Sequence, residues 1–150
     1  MIEACLSELT FLLIEDDGEF DNTLQVASKA LPSQIYTAAS AEQAVAVLET
    51  QSIDVLLADM CIAGVDLCQA VRQLYPDITI LMVFAVDDIK LLLPLLSLGS
   101  IDFLPKPLDS STLARLVSDI TKRVCLQQKL TQSYSLLEVE KEFLAVALRS

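Results

Sequence analysis

The sequence predicts a doubly wound α/β fold, with five parallel strands in one sheet and helices on both faces. Three observations carry this expectation. Five short apolar segments, 9–14, 34–38, 53–60, 79–85 and 102–104, alternate with segments of helical spacing. The strongest of them, Ile53-Asp54-Val55-Leu56-Leu57-Ala58-Asp59-Met60, is a nearly continuous apolar run, the habit of a central strand buried on both faces of a parallel sheet. Two of the segments end on carboxylates, at Glu15-Asp16-Asp17 and at Asp59. Parallel neighbours require crossover connections, here helices. Right-handed crossovers place the carboxyl ends of all the strands along one edge.

Residues 9–14 (Leu-Thr-Phe-Leu-Leu-Ile) form the first strand. In 19–31, Phe20, Leu24, Ala27 and Leu31 share one helical face, and Pro32 ends the helix. Residues 34–38, centred on Ile35 and Tyr36, form the second strand. Ser40 with Gln43 has the form of a capping box. It opens a helix to about Thr50 that turns Ala44, Val45, Val47 and Leu48 to the core. After the 53–60 strand, a loop over 60–64 leads to a helix from about Asp66 to Tyr75, closed by Pro76. Residues 79–85 are the fourth strand. In 87–98, Pro94 falls where a helix interior would lie, so the helix either kinks there or starts late with Pro94 in its first turn. Gly99 suits a C-terminal cap. Asp102-Phe103-Leu104 is a short last strand, Pro105-Lys106-Pro107 a rigid turn, and Ser110-Ser111 cap the final helix.

Composition narrows the function. A chain of 150 residues suits one domain and a short appendage. Apolar residues at 53%, a mean hydropathy of +0.53 and 21% charged residues exclude disorder and imply a crowded core. The most apolar stretch, 78–98, carries Asp87, Asp88 and Lys90 at its centre. Each would cost about 3 kcal/mol within a bilayer, which excludes a membrane span. The first residues lack the basic segment and apolar core of a signal peptide, which points to the cytoplasm. With 10 basic against 21 acidic residues and a net charge of −11, direct binding to nucleic acid is disfavoured and a cationic cofactor such as Mg²⁺ is accommodated. Cys5, Cys61, Cys68 and Cys125 show no C-x-x-C spacing and the chain has no histidine, which argues against zinc and removes His-activated nucleophiles. Free thiols in a reducing compartment are expected. Three glycines, Gly18, Gly64 and Gly99, supply neither a phosphate-cradling loop nor a dinucleotide fingerprint.

The parallel arrangement turns dispersed residues into one site. Glu15, Asp16, Asp59, Phe84 and Lys106 all stand at strand ends or just beyond them, on the rim where open α/β sheets bind ligands. Each has an ordinary alternative. Asp59 suits the opening of a turn, the 15–17 acids suit a solvated helix N-terminus, Lys106 suits the surface, and Phe103 suits the core. The whole set in order resembles the receiver domains of two-component response regulators. It matches in the acidic pair Glu15-Asp16 after the first strand, Asp59 after the third, the Gly64-x-Asp66 loop, and Phe103-Leu104-Pro105-Lys106-Pro107 after the last, over about 9–122.

That resemblance implies a flavodoxin-like strand order 2-1-3-4-5 and a receiver domain over 1–124, with 125–150 as a helical, coiled-coil extension. It implies that Asp59 accepts a phosphoryl group from a histidine kinase or phosphotransfer protein. Mg²⁺ would be held by Glu15, Asp16, Asp59 and the backbone carbonyl of Cys61, with Lys106 countering a phosphoryl oxygen. Chemistry would extend at most to self-phosphorylation and dephosphorylation at Asp59, not to metabolic catalysis. A cis Lys106-Pro107 bond would turn the amine toward the site. The electrostatics agree, because carboxylates about 4 Å apart repel by about 4 kcal/mol per pair at an effective dielectric of 20. A divalent cation with oxygen ligands removes that cost.

One departure stands out. Receivers carry Ser or Thr at the end of the fourth strand, where this chain has Phe84. A phenyl ring donates no hydrogen bond, so a contact worth about 1.5–3 kcal/mol to the phosphorylated state is missing, and the usual switch between that position and Phe103 cannot operate in its usual form. Ala63 and Leu67 replace the family's usual Pro and Gly. Two functions follow: a phospho-accepting switch, or a pseudo-receiver that serves as a phosphorylation-independent docking or dimerisation module.

Beyond Lys122 the helical pattern continues. Leu113, Leu116, Ile120, Arg123, Gln127, Leu130, Tyr134, Leu137, Lys141, Leu144 and Leu148 follow alternating steps of three and four, the spacing of a coiled-coil seam interrupted by polar residues. Such a helix either folds back on its own domain or extends as a signalling helix that forms a homodimer and leads to an output domain beyond residue 150. Leu91, Leu92, Leu93, Leu95 and Leu96 exceed what one buried face can use, which marks 87–98 as a second candidate contact surface.

Overall fold

The computed structural model describes residues 9–18, 22–23, 34–99 and 101–149. Its strands are β1 (Thr10–Ile14), β2 (Gln34–Ala38), β3 (Val55–Asp59), β4 (Thr79–Phe84) and β5 (Ile101–Pro105). They form a single sheet of order β2-β1-β3-β4-β5, with every neighbouring pair parallel. This is the doubly wound, flavodoxin-like topology that the sequence predicts. The helices are α1 (Ala41–Thr50), α2 (Met60–Leu74), α3 (Leu93–Leu96) and α4 (Ser110–Arg149), with a 3₁₀ segment at Val86–Leu92. The helix expected over 19–31 lies outside the described residues, except for Asn22 and Thr23, which are helical.

Side chains alternate across the sheet and build two apolar layers. Leu12, Ile14, Leu56, Ala58, Ile80 and Met82 pack with Ala44 and Leu48 of α1 and with Leu67, Cys68 and Val71 of α2. On the opposite face Phe11, Leu13, Leu57, Leu81 and Val83 meet Leu113, Val117, Ile120 and Val124 of α4. Because both faces are covered, the central strands β1, β3 and β4 carry none of the apolar/polar alternation of a half-exposed sheet.

Local chemistry sets the element boundaries. Ser40 Oγ accepts the Gln43 N–H at 3.2 Å, while Gln43 Oε1 accepts the Ala39 N–H at 2.8 Å, so the capping box closes one residue further back than its usual form. Ala44 and Leu48 are buried as expected, but Val45 is exposed and belongs to the solvent side of α1. The loop expected over 60–64 is instead helical. The Asp59 carboxylate accepts the Cys61 N–H at 3.0 Å and caps a turn directly after β3. Gly64, at φ 76 and ψ 166, then breaks the helix in a conformation that a side chain would oppose. At the far end of α2 the Arg72 guanidinium donates to the carbonyls of Pro76 and Ile78, each at 2.8 Å.

Of the two alternatives for 87–98, the late start is the observed one, with Pro94 in the first turn of α3. Gly99 has a left-handed φ of 65, but α3 ends at Leu96 and Ser97 takes the capping position, so Gly99 is not the helix cap. The cap expected from Ser110-Ser111 also moves. Asp109 Oδ2 accepts the hydroxyls of Ser111 at 2.7 Å and Thr112 at 2.8 Å, and its carbonyl accepts the Leu113 N–H at 2.9 Å. An ionised carboxylate offers about four acceptor sites, against two on a serine hydroxyl.

Candidate functional site

The ladder register assembles the rim. Asp59 lies beside Val83, and Phe84 lies beside Pro105. The Lys106 N–H donates to the Phe84 carbonyl at 2.8 Å and so extends the pairing by one residue. From there Lys106 Nζ reaches Asp59 Oδ2 at 2.7 Å, across 47 residues of sequence. The side chains are 32% and 13% exposed respectively. The pair is therefore shielded more than a surface ion pair, for which about 0–1 kcal/mol is usual, yet the carboxylate remains open to an approaching group. The Lys106-Pro107 bond is cis, as the resemblance implies.

Asp59 thus does two things that the sequence offered as alternatives. One oxygen caps α2 and the other holds an ammonium. Since Ile14 is in register with Ala58, Glu15 follows at the adjacent strand end, next to Asp59. Glu15 is buried and its N–H donates to the Ala38 carbonyl at 3.0 Å, while Asp16 is exposed. The donors are carboxylates and carbonyls, hard oxygen ligands of the kind that Mg²⁺ takes. The donor chemistry therefore fits, although among the described residues no three His, Cys, Asp or Glu side chains are gathered closely enough to hold a metal ion.

Phe84 is buried and meets Phe103 edge to face, with ring centroids 6.5 Å apart and planes at 74°. Such a pair contributes about 0.5–1.5 kcal/mol beyond its buried area. The phenyl ring does not wall off Asp59, whose carboxylate keeps its solvent access.

Two contacts at the rim were not legible in the sequence. Cys61, expected to contribute only its carbonyl, donates its thiol to Asp88 Oδ2 at 3.6 Å and ties the start of α2 to the 3₁₀ segment. Partial burial raises the Cys61 thiol pKa, the negative charges of Asp59 and Asp88 raise it further, and Lys106 opposes them. The second is the Asp109 cap described above. Neither residue type nor spacing announces a contact between residues 61 and 88. By contrast Cys68 lies in the core, where burial pushes its thiol up to about 11.

The fold and rim define a receiver module, a parallel sheet that presents an acidic residue and a lysine at its carboxyl edge. Residues 11–118 match the response regulator receiver domain, and the chain belongs to that family. It is 28% identical over 116 residues to a probable transcriptional regulator, ycf27, of Cyanidium caldarium, covering 75% of this chain and 46% of that protein. It is 30% identical over 115 residues to the transcriptional regulatory protein CpxR of Escherichia coli K12, covering 75% of this chain and 49% of that one. The chain therefore spans about half the length of these relatives. Among solved structures, the signal receiver domain of an HD domain-containing protein from Pseudomonas fluorescens Pf-5 superposes with a TM-score of 0.70 at 22% identity, covering 82% of this chain and 93% of that one. At that identity the likeness concerns the fold alone.

Proposed function

We propose that this receiver domain is a phospho-accepting switch. An Asp59 carboxylate oxygen attacks the phosphorus of a donor, a histidine kinase or phosphotransfer protein, and the donor's leaving atom keeps the electron pair. The observation that carries this reading is the 2.7 Å contact between Lys106 Nζ and Asp59 Oδ2. It holds an ammonium where a phosphoryl oxygen would develop charge, and in phosphoryl transfer such positioning is most of what a protein supplies. Glu15, Asp16, Asp59 and the Cys61 carbonyl would hold Mg²⁺, which when bound neutralises charge on the carboxylates and the phosphoryl oxygens. The protein would catalyse only its own phosphorylation and dephosphorylation.

In this reading residues 1–124 are the receiver and 125–150 an extension that couples it to an output module, as in a longer regulator. A homodimer would form through the last helix or through the 87–98 surface. The site of action would be the cytoplasm, without direct contact to nucleic acid or membrane. Among the described residues no helix is long and apolar enough to cross a membrane. The test is incubation with Mg²⁺ and acetyl phosphate followed by intact mass. A gain of one phosphoryl group, absent in Asp59→Asn, is expected. No gain under saturating donor, together with unchanged amide spectra in beryllofluoride, would favour the pseudo-receiver, whose supporting observation is Phe84 in place of a hydroxyl.

A further inference from the structure

The 3₁₀ segment Val86–Leu92 and the short α3 after it are held to the domain by few groups. Leu92 and Leu95 are buried there, while Val86, Ile89, Leu91, Leu93 and Leu96 are exposed. The segment opens with the Asp88 N–H on the Ala85 carbonyl at 2.9 Å. Among the described residues, its side chains make one hydrogen bond to another element, in which the half-buried Asp88 Oδ2 accepts the Cys61 thiol at 3.6 Å. An element with so few buried contacts and so much exposed surface opens more readily than the core beneath it.

The other end of that bond is tied to the rim. The Cys61 N–H donates to Asp59 Oδ1 at 3.0 Å, and its thiol is exposed. The sulfur interacts electrostatically with Asp59, Asp88 and Lys106 alike. Contacts therefore run from Asp59 through Cys61 to Asp88, from the candidate phosphoacceptor to the 3₁₀ segment. The neighbouring route through β4 carries no polar signal. Phe84 has no donor in its side chain, and its ring is buried edge to face against Phe103.

We propose that the Cys61 thiol takes the part of the missing hydroxyl: it donates to Asp88 while Asp59 is free and to a phosphoryl oxygen once Asp59 is phosphorylated, and the exchange releases the 86–92 segment. A thiol has one proton to donate, so the two bonds compete. A phosphoryl group brings three strong acceptor oxygens to the carboxylate that already holds the Cys61 backbone. Sulfur is a weak donor and its bond to Asp88 is long, so an acceptor fixed beside the donor displaces a carboxylate that water can solvate instead. The proton stays on sulfur throughout, and only its acceptor changes. Once released, the segment keeps Leu92 and Leu95 as anchors, and the exposed Val86, Ile89 and Leu91 change position relative to the domain. A local change of hydrogen bonding thereby biases an element that presents an apolar surface. The inference rests on the phospho-accepting reading of Asp59 and gives that reading a route to the 87–98 surface.

The test uses the full chain in two measurements. Without Mg²⁺ or phosphodonor, Cys61→Ala and Asp88→Ala should each speed amide hydrogen exchange over 86–92 by about 2- to 10-fold, the range of one hydrogen bond. The double variant should exchange no faster than either single one, since both remove the same contact. Multiplying effects would show that the two side chains act separately and would overturn the inference. With Mg²⁺, amide spectra are then compared before and after beryllofluoride. In the parent, amides beside Asp59 and Lys106 and those of 86–92 should all shift, and Cys61→Ser, which keeps a donor on the same carbon, should preserve both responses. In Asp88→Ala the amides beside Asp59 should still shift, while those of 86–92 start near their beryllofluoride positions and stay there. An 86–92 response in Asp88→Ala equal to the parent's, or none in a parent whose Asp59 amides shift, refutes the exchange of acceptors. Silence beside Asp59 itself refutes the phospho-accepting reading and this inference with it, whatever the exchange rates show of the contact.

Discussion

Cys61 stands between two carboxylates, capped by Asp59 through its backbone and bonded to Asp88 through its sulfur. Partial burial and these charges raise its pKa, so at neutral pH the thiol stays protonated and reacts slowly although it is exposed. Removing a negative charge lowers that pKa and increases the thiolate fraction. Asp88→Asn should therefore speed alkylation of Cys61 by iodoacetamide at mildly alkaline pH, read by peptide mass. An unchanged rate would show that Asp88 does not act on the sulfur. The residue scale is also where the sequence was most and least informative. Asp59 and Lys106 could be named because each interrupts an apolar or rigid segment at a strand end, where a charge needs a reason. The Cys61–Asp88 contact could not, because it depends on how a 3₁₀ segment lies against the first turn of α2.

At the scale of elements, capping chemistry decided where the expectations held. Ser40 and Gln43 announced α1 because both partners of the motif lie within a few residues. The start of α2 was misplaced because Asp59 serves as strand end, helix cap and lysine partner at once, and spacing alone does not reveal a residue with three duties. Asp109 was passed over for the serines beside it. The hydroxyls of Ser111 and Thr112 hold its carboxyl below the usual value of 3.8. A depressed folded-state pKa contributes stability that is present above the ordinary carboxylate value and is lost as pH falls through the lower folded value. Asp109→Ala should therefore lower the melting temperature at neutral pH, by the loss of a cap. Its difference from the parent should shrink with acidification below the carboxylate range, followed by circular dichroism. A difference constant into strong acid would assign the effect to something other than the carboxylate.

For the whole molecule, the two apolar layers and the projecting part of α4 respond to substitution differently. Leu57 is 1% exposed in the layer under α4, and Leu57→Ala should cost about 2–5 kcal/mol in urea unfolding. Leu130 is 68% exposed, and Leu130→Ala should leave the unfolding of dilute protein within about 0.5 kcal/mol of the parent. Equal losses would mean that the projecting helix is part of the cooperative unit. The layering itself was legible, since continuous Val/Leu runs alternating with helical spacing admit few other topologies. Where α4 leaves the domain was not, because Leu113, Ile120, Leu130 and Leu144 share one heptad pattern although the first two are buried against the sheet and the last two face solvent. Periodicity reports that a face is apolar without saying what covers it.

The all-parallel ladder also governs how the chain finds its native state. No two neighbouring strands can form as a hairpin. The earliest ladder bond must close a loop such as that between residues 55 and 79, and the central pairing of β1 with β3 joins residues 11 and 55. Nearly doubling the loop costs only about 0.6 kcal/mol of closure entropy. The central strands can thus nucleate together at little extra expense, but the distant pairings place the domain among the slower of small folders. Until that nucleus forms, the Val/Leu runs that later become the core remain open to intermolecular association.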